Sequence, residues 1–345
     1  MTDMEHSIKF SSLDRNFMAS TPGGSIWEKI GSKLPGRLMR RKLAEMPFNE
    51  AFDRIRESAR QLIETGRADE VTERIERFAS LIERKGGLSG ENNDLYAALM
   101  QTLTAVYVSI DKGEEALKSA ARTLTLLARE AKRKDESFRI LLALTLHDLA
   151  LVHFERSEFR HAEREIEKAM KLFERLAASD EERYAQAHVT AQSALTAVLK
   201  SRTRQANMLK EHQEATEKYL QMMNDGVEGA TSLLVDSLSE AGRTLLRMGK
   251  YREAVQFLSR ALKYLMKIES ETSLRQLQLS IDLGESLINV KQTRDKGIHL
   301  LNTMLYKASK LHAEEDHRRI TEILTNSKTK QLDILGFWYK LFPKT

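Results

Sequence analysis

The chain has 345 residues, 30% of them charged and 41% apolar, with a formal net charge of +5, 4 prolines and no cysteine. That length is too great for one compact helical bundle, and the mild basic excess neither requires nor excludes an acidic partner. Lacking cysteine, the chain can form no disulfide, thiolate metal site or cysteine nucleophile, and it suits a reducing cytosol. Ala, Leu, Glu, Lys and Arg dominate, a mix that favours long solvated helices over strands. The opening MTDMEHSIKF carries no apolar signal core. No run approaches the ~18 uninterrupted apolar residues of a membrane span, so a cytoplasmic location is expected.

Residues 1–46 differ from the rest of the chain. SSLDRNFMASTPGGS is rich in turn and breaker residues and reads as largely irregular. Ser25-Ile26-Trp27-Glu28 has the form of a capping box, opening a short helix with Trp27, Ile30 and Leu34 on one side. Pro35-Gly36 stops it, and RLMRRKLAEM resumes helical propensity up to Pro47. Lys29, Lys33, Arg37, Arg40, Arg41 and Lys42 give this arm a basic face. Such a segment either covers the first helices through Trp27 or docks on an acidic protein or a membrane surface.

From Pro47 onward, helical hairpins repeat over residues 47–315. A small or short apolar residue just after each inter-helix turn marks them: Val71, Ala116, Ala162, Ala206, Ala254 and Gly297. These markers recur every 43–48 residues. The clearest copy folds back at Met248-Gly249-Lys250. There Leu238, Ala241, Gly242 and Leu245 form one stripe, and Tyr251, Ala254, Leu258, Ala261 and Leu265 form the other. In the Ala162 copy, His153 falls on the buried stripe and reads as a core histidine. The copy at Gly297 has one extra residue in its turn. Polar stretches at Arg133–Ser137, Ser179–Arg183 and Asn224–Gly229 mark linkers. Residues 316–345 read as a polar helix ending in a cluster of Leu335, Phe337, Trp338, Tyr339, Leu341 and Phe342, which would seal the last hairpin or anchor a partner.

This pattern resembles the tetratricopeptide (TPR) repeat, a helix–turn–helix unit of 34 residues in its standard form, here in a long-pitch variant. The resemblance implies an all-α, right-handed superhelical solenoid of about six antiparallel hairpins, because one hairpin cannot bury both its apolar stripes without neighbours. It also implies that ligands lie against first-helix residues: Arg56 and Arg60, Gln101 and Thr102, His147 and Phe154, His188 and Gln192, and Arg243 and Arg247. The paired Arg and Lys that grip a C-terminal carboxylate in chaperone-binding members are not reproduced.

Enzymatic motifs are absent from the sequence. No glycine-rich phosphate loop or HExxH occurs, and carboxylates such as Glu163, Glu165 and Glu167 alternate with bases on solvated faces. No catalytic residue, cofactor or metal is expected, and the chain reads as a non-catalytic interaction scaffold or adaptor for a peptide or partner domain. The alternative is a regulatory sensor, since long-pitch repeats resemble those of bacterial regulators that bind a signalling peptide. A nucleic-acid-associated repeat protein comes third, because the basic residues are dispersed and aromatics do not occupy stacking positions.

Overall fold

The computed structural model describes residues 11–14, 17–18, 46–86, 91–129, 135–269 and 273–328. Among these residues the fold is all α, with twelve α-helices and no strand. The arm residues Trp27, Arg40 and Arg41 and the tail residues Phe337, Trp338 and Phe342 lie outside the described residues.

The helices are α1 (Phe48–Glu64), α2 (Ala68–Gly86), α3 (Glu91–Ser109), α4 (Gly113–Arg129), α5 (Glu136–Glu155) and α6 (Phe159–Ser179). They continue with α7 (Glu181–Asn224), α8 (Ala230–Arg247), α9 (Tyr251–Ile268), α10 (Leu274–Ile288), α11 (Arg294–Lys310) and α12 (Glu314–Lys328). Five antiparallel hairpins result: α1/α2, α3/α4, α5/α6, α8/α9 and α10/α11. The chain divides into two compact units, one through Leu199 and one from Lys200. The dividing point falls inside α7.

Sequence markers and helix starts coincide closely. Val71, Ala116, Ala162, Ala254 and Gly297 each sit in the first turn of the second helix of their hairpin, and each is buried. Smallness matters there because the two helices cross at that level. A Cβ on Gly297 would lie 2.7 Å from the Ile288 nitrogen and 2.8 Å from the Gly284 carbonyl oxygen. Backbone atoms cannot move aside as a flexible side chain can, so only glycine fits.

Four hairpin turns share one construction. Gly66, Asp111, Ser157 and Gly249 have positive φ, at 73°, 56°, 58° and 69°. The next backbone N–H in each case reaches back to a carbonyl five residues earlier: Arg67 to Leu62, Lys112 to Tyr107, Glu158 to His153 and Lys250 to Leu245. A left-handed residue that reverses the chain while satisfying the last helical carbonyls is the Schellman ending. The α10/α11 turn is longer and winds through a 3-10 turn at Lys291–Thr293.

One expected hairpin does not form. The stretch around Ala206 is not a turn but the middle of α7, a continuous helix of 44 residues, and Ala206 is exposed. KSRTRQAN holds no glycine or proline, and although Ser201 stands five residues before Ala206, as Ser157 stands before Ala162, the helical hydrogen bonds run on through it. A small residue alone does not make a turn.

In the first unit, α1, α3 and α5 stack side by side, with α3 and α5 carrying the core. Helix α5 is mostly apolar and buried all round, its residues from Phe138 to Phe154 being buried with the sole exception of Arg139. By length and composition α5 could cross a membrane, but 89% of its apolar window is buried inside the protein, as in a central core helix. Asp135 caps its start by accepting from the Phe138 N–H at 2.9 Å. In the second unit, α8, α9 and α10 build a core around Leu238, Leu245, Leu258 and Leu265, and α10, α11 and α12 build another in which Ile320 and Leu324 join Leu301 and Met304.

Candidate functional site

The most densely bonded polar cluster among the described residues lies in the first unit, where α1, α3 and α5 meet residues 11–18. Several polar side chains on these helices are buried, among them Arg56 on α1, Gln101 on α3, and His147 and Asp148 on α5. Burying such groups without partners is costly. Their partners come from the N-terminal segment.

The segment enters as a turn, with the Asp14 N–H bonded to the Ser11 carbonyl at 3.0 Å and the Phe17 N–H to the Asp14 carbonyl at 3.1 Å. Asp148 holds Ser12 twice, accepting from its backbone N–H at 2.9 Å and its hydroxyl at 2.7 Å. Gln101 donates to Asp148 Oδ2 at 2.9 Å and to Ser12 Oγ at 3.2 Å. Arg56 donates to the Ser12 carbonyl and contacts Gln101 Oε1 at 3.4 Å, while Arg60 Nε donates to the Leu13 carbonyl at 2.9 Å. The Ser11 hydroxyl donates to the Ala105 carbonyl at 3.1 Å. Side chains of α1 and α5 thus clasp backbone atoms of one short segment while α3 bonds its serine hydroxyls, and charged partners make the former stronger than neutral bonds.

Apolar side chains of the segment complete the fit. Leu13, Phe17 and Met18 are all buried in the core of the first unit. Phe17 meets the His147 ring edge-on at 4.6 Å and the Phe173 ring at 5.6 Å. Both His147 ring nitrogens lack a hydrogen-bond partner, so the ring serves here as an aromatic wall. Burial lowers the Arg56 guanidinium to about 10, with Asp148 opposing the shift, so it stays charged at neutral pH. Burial, followed by the neighbouring Asp148, raises the Asp14 carboxyl.

The first-helix residues named from the sequence fall into distinct settings. Arg56, Arg60, Gln101 and His147 converge on residues 11–17, but as buried groups rather than an open groove lining. That is a correction, and its cause is the segment lying over them. Thr102 is buried as well, and its hydroxyl turns back to the Ala98 carbonyl at 2.8 Å. Phe154 packs on Phe159 at 5.5 Å, with Ala162 and Val198 in the same cluster, away from the segment. His188 and Gln192 lie on the outer turns of α7, half-buried and exposed respectively.

In the second unit, Arg243 is engaged by Asp282 at 2.8 Å and Glu240 at 2.8 Å, and Arg319 grips Asp282 and Glu285, each at 2.8 Å. Arg247 is exposed. A shallow cleft of about 490 Å³ opens there between the turns at Gly249–Glu253 and Asn289–Gln292.

One group of metal-capable side chains assembles across the α5/α6 turn, where no single-helix spacing would have revealed it. Ligand atoms of His153, Glu158 and His161 lie within 4.8 Å of one another. His153 Nδ1 meets Glu158 at 2.5 Å, and its Nε2 faces buried Glu165 at 3.6 Å. Burial works to lower the His153 value, but Glu165 and the Glu158 hydrogen bond outweigh it and raise the imidazole above its ordinary range. Glu158 moves the opposite way: burial opposes ionisation, yet the bonds to His153 and His161 hold it well below the usual carboxylate range. Both shifts favour the ionic form of the pair, which ties the turn.

Comparison with known proteins adds little. No family model matches the chain, and no curated protein matches it. Among solved structures it is similar to NprR in complex with its cognate peptide NprX, at 12% identity, covering 92% of this chain and 77% of that one, with a TM-score of 0.34. At that level no residue role carries across. The helical-hairpin repeats stand on their own geometry.

Which signals could have revealed the segment's role? Leu13, Phe17 and Met18 are large apolar residues in an otherwise polar stretch, and Gln101 and Asp148 interrupt apolar stripes. Each half of the match is visible in the sequence, but the pairing across it is not.

Proposed function

We propose that this chain is a non-catalytic interaction module whose first unit takes a short, turned peptide segment across α1, α3 and α5. The observation that carries this reading is the clasp on Ser12 and Leu13. Asp148, Arg56 and Arg60 bind backbone N–H and carbonyl groups, which every peptide has. Apolar side chains on either side of the turn then supply selectivity, as anchors in pockets do at peptide interfaces. A scaffold or adaptor role follows, with a protein or peptide as partner and the cytoplasm as its expected setting.

The test is direct titration. A protein lacking residues 1–20 should bind a peptide spanning residues 9–20 saturably, with a dissociation constant of ~10 μM, about −7 kcal/mol. Arg60→Gln in that protein should weaken binding about tenfold, the loss of one charge-assisted bond. A folded protein that takes up no peptide would overturn the proposal.

A further inference from the structure

We infer that residues 11–14 and 17–18 are a tethered occupant of this site, so that an outside ligand must share their signature and must displace them. The inference rests on the peptide-binding reading above and specifies it in two respects, ligand class and regulation.

The ligand class follows from what each position touches. The first position carries a hydroxyl, which reaches the Ala105 carbonyl on α3. The second must be small and hydroxylated, because Ser12 is wholly buried between Asp148 and Gln101 and bonds to both. The third is aliphatic, as Leu13 is 3% exposed. An acidic or similarly turn-forming residue follows, whose N–H closes the turn onto the first carbonyl. Three positions further on comes an aromatic residue, because Phe17 fills the space between His147 and Phe173. An apolar residue follows in the place of Met18, itself 4% exposed. The ligand is therefore a peptide segment of the form hydroxyl–Ser–aliphatic–turn–x–x–aromatic–apolar, supplied by another chain.

Regulation follows from the covalent link. A segment carried on its own chain sees the site at an effective concentration on the order of millimolar. If the free segment binds with a dissociation constant of ~10 μM, the tethered copy fills the site about 99% of the time. Only ~1% of molecules then stand open, and an outside peptide of equal intrinsic affinity binds ~100-fold more weakly to the intact chain than to the opened one. A productive partner must bind more tightly than the arm, or reach the chain while the arm is out.

The experiment uses a fluorescent peptide of residues 9–20, anisotropy, and three proteins: the intact chain, the chain lacking residues 1–20, and the intact chain with Leu13→Asp and Phe17→Asp together. The double substitution puts two carboxylates where the arm must be buried, so it releases the arm without removing it. Both opened forms should bind ~100-fold more tightly than the intact chain, and a peptide carrying Leu13→Asp should bind none of them. Should truncation unfold the first unit, the double variant still reads out, and so does the intact chain cut after folding at a protease site introduced at residues 21–25. Equal affinity for intact and opened proteins would sink the tethered-occupant inference and leave the peptide site standing. Opened proteins with intact helical circular dichroism that bind no peptide would sink both.

Discussion

Asp148→Asn is the substitution that tests the clasp most sharply. The change keeps shape and removes charge. Asp148 is wholly buried and accepts three hydrogen bonds, from the Ser12 N–H, the Ser12 hydroxyl and the Gln101 amide. An asparagine can present only one oxygen. Its NH2 must then face either the Ser12 N–H or the Gln101 NH2, donor against donor. Bonds to a charged group contribute about 1.5–3 kcal/mol each, and removing one partner of a buried charge pair costs about 3–5 kcal/mol. Buried Arg56 loses in the same step the carboxylate that does most to keep it charged. The expected loss is therefore ~3–5 kcal/mol, confined to the first unit. Native-state hydrogen exchange at the amides of α3 and α5 measures it, because two units need not unfold together and a single melting curve would blend them. Amides of α8 to α11 serve as the internal reference. Loss of less than about 1 kcal/mol, with protection at residues 11–14 unchanged, would refute the view that a carboxylate holds the segment.

Three further outcomes are expected. Gly297→Ala should destabilise the second unit by about 1–3 kcal/mol, as overpacking does, since the added carbon meets backbone atoms of α10; unchanged exchange in α10 and α11 would contradict the close crossing. Ala254→Arg should unfold the α8/α9 hairpin, because it buries an unpaired charge, whereas Ala206→Arg on exposed α7 should shift stability by no more than ~0.5 kcal/mol; circular dichroism and urea titration of both variants check this. His153→Gln should show a pH-dependent cost. The His153 value is raised, so its stabilisation is complete below the unfolded value near 6.5 and fades as pH rises through the folded value. Glu158 contributes above about 4.5 and loses its contribution only in acid. The gap between wild type and variant should accordingly be widest at about pH 5–6.5 and shrink above the raised His153 value, with a gap that does not vary with pH refuting the ionic pairing.

Much of the architecture is legible in the sequence because hairpin packing leaves a local trace. A small residue just inside each second helix, with a glycine or a residue tolerant of left-handed geometry a few positions earlier, reports the crossing at Val71, Ala116, Ala162 and Ala254. Ala206 misleads because Ser201 and Ala206 repeat the local arrangement of Ser157 and Ala162 while the chain stays helical, so the local trace alone does not decide the turn. The candidate site is half legible. Arg56, Arg60, Gln101 and His147 stand out as first-helix polar groups, but their burial depends on a segment 44 to 136 positions away in sequence. Polar composition makes SSLDRNFM read as irregular, and its described residues 11–14 form a turn rather than a helix. Its anchoring comes from side chains on three helices, and no local pattern encodes that.

The distance between Ser12 and Asp148 has a consequence for the order of events in the cell. The two residues are 136 positions apart, and the N-terminal one is made first. At ~5–20 residues per second, the ribosome needs on the order of ten seconds or more to supply the acceptor after the donor has emerged. During that interval Ser11 to Met18 have no place to dock, and the nascent chain passes through a stage in which its own occupant is free while α1 and α3 are being completed. The site is complete only once α5 has emerged, and by then the segment is already on the same chain, so an outside peptide meets the arm's competition from the moment the site exists.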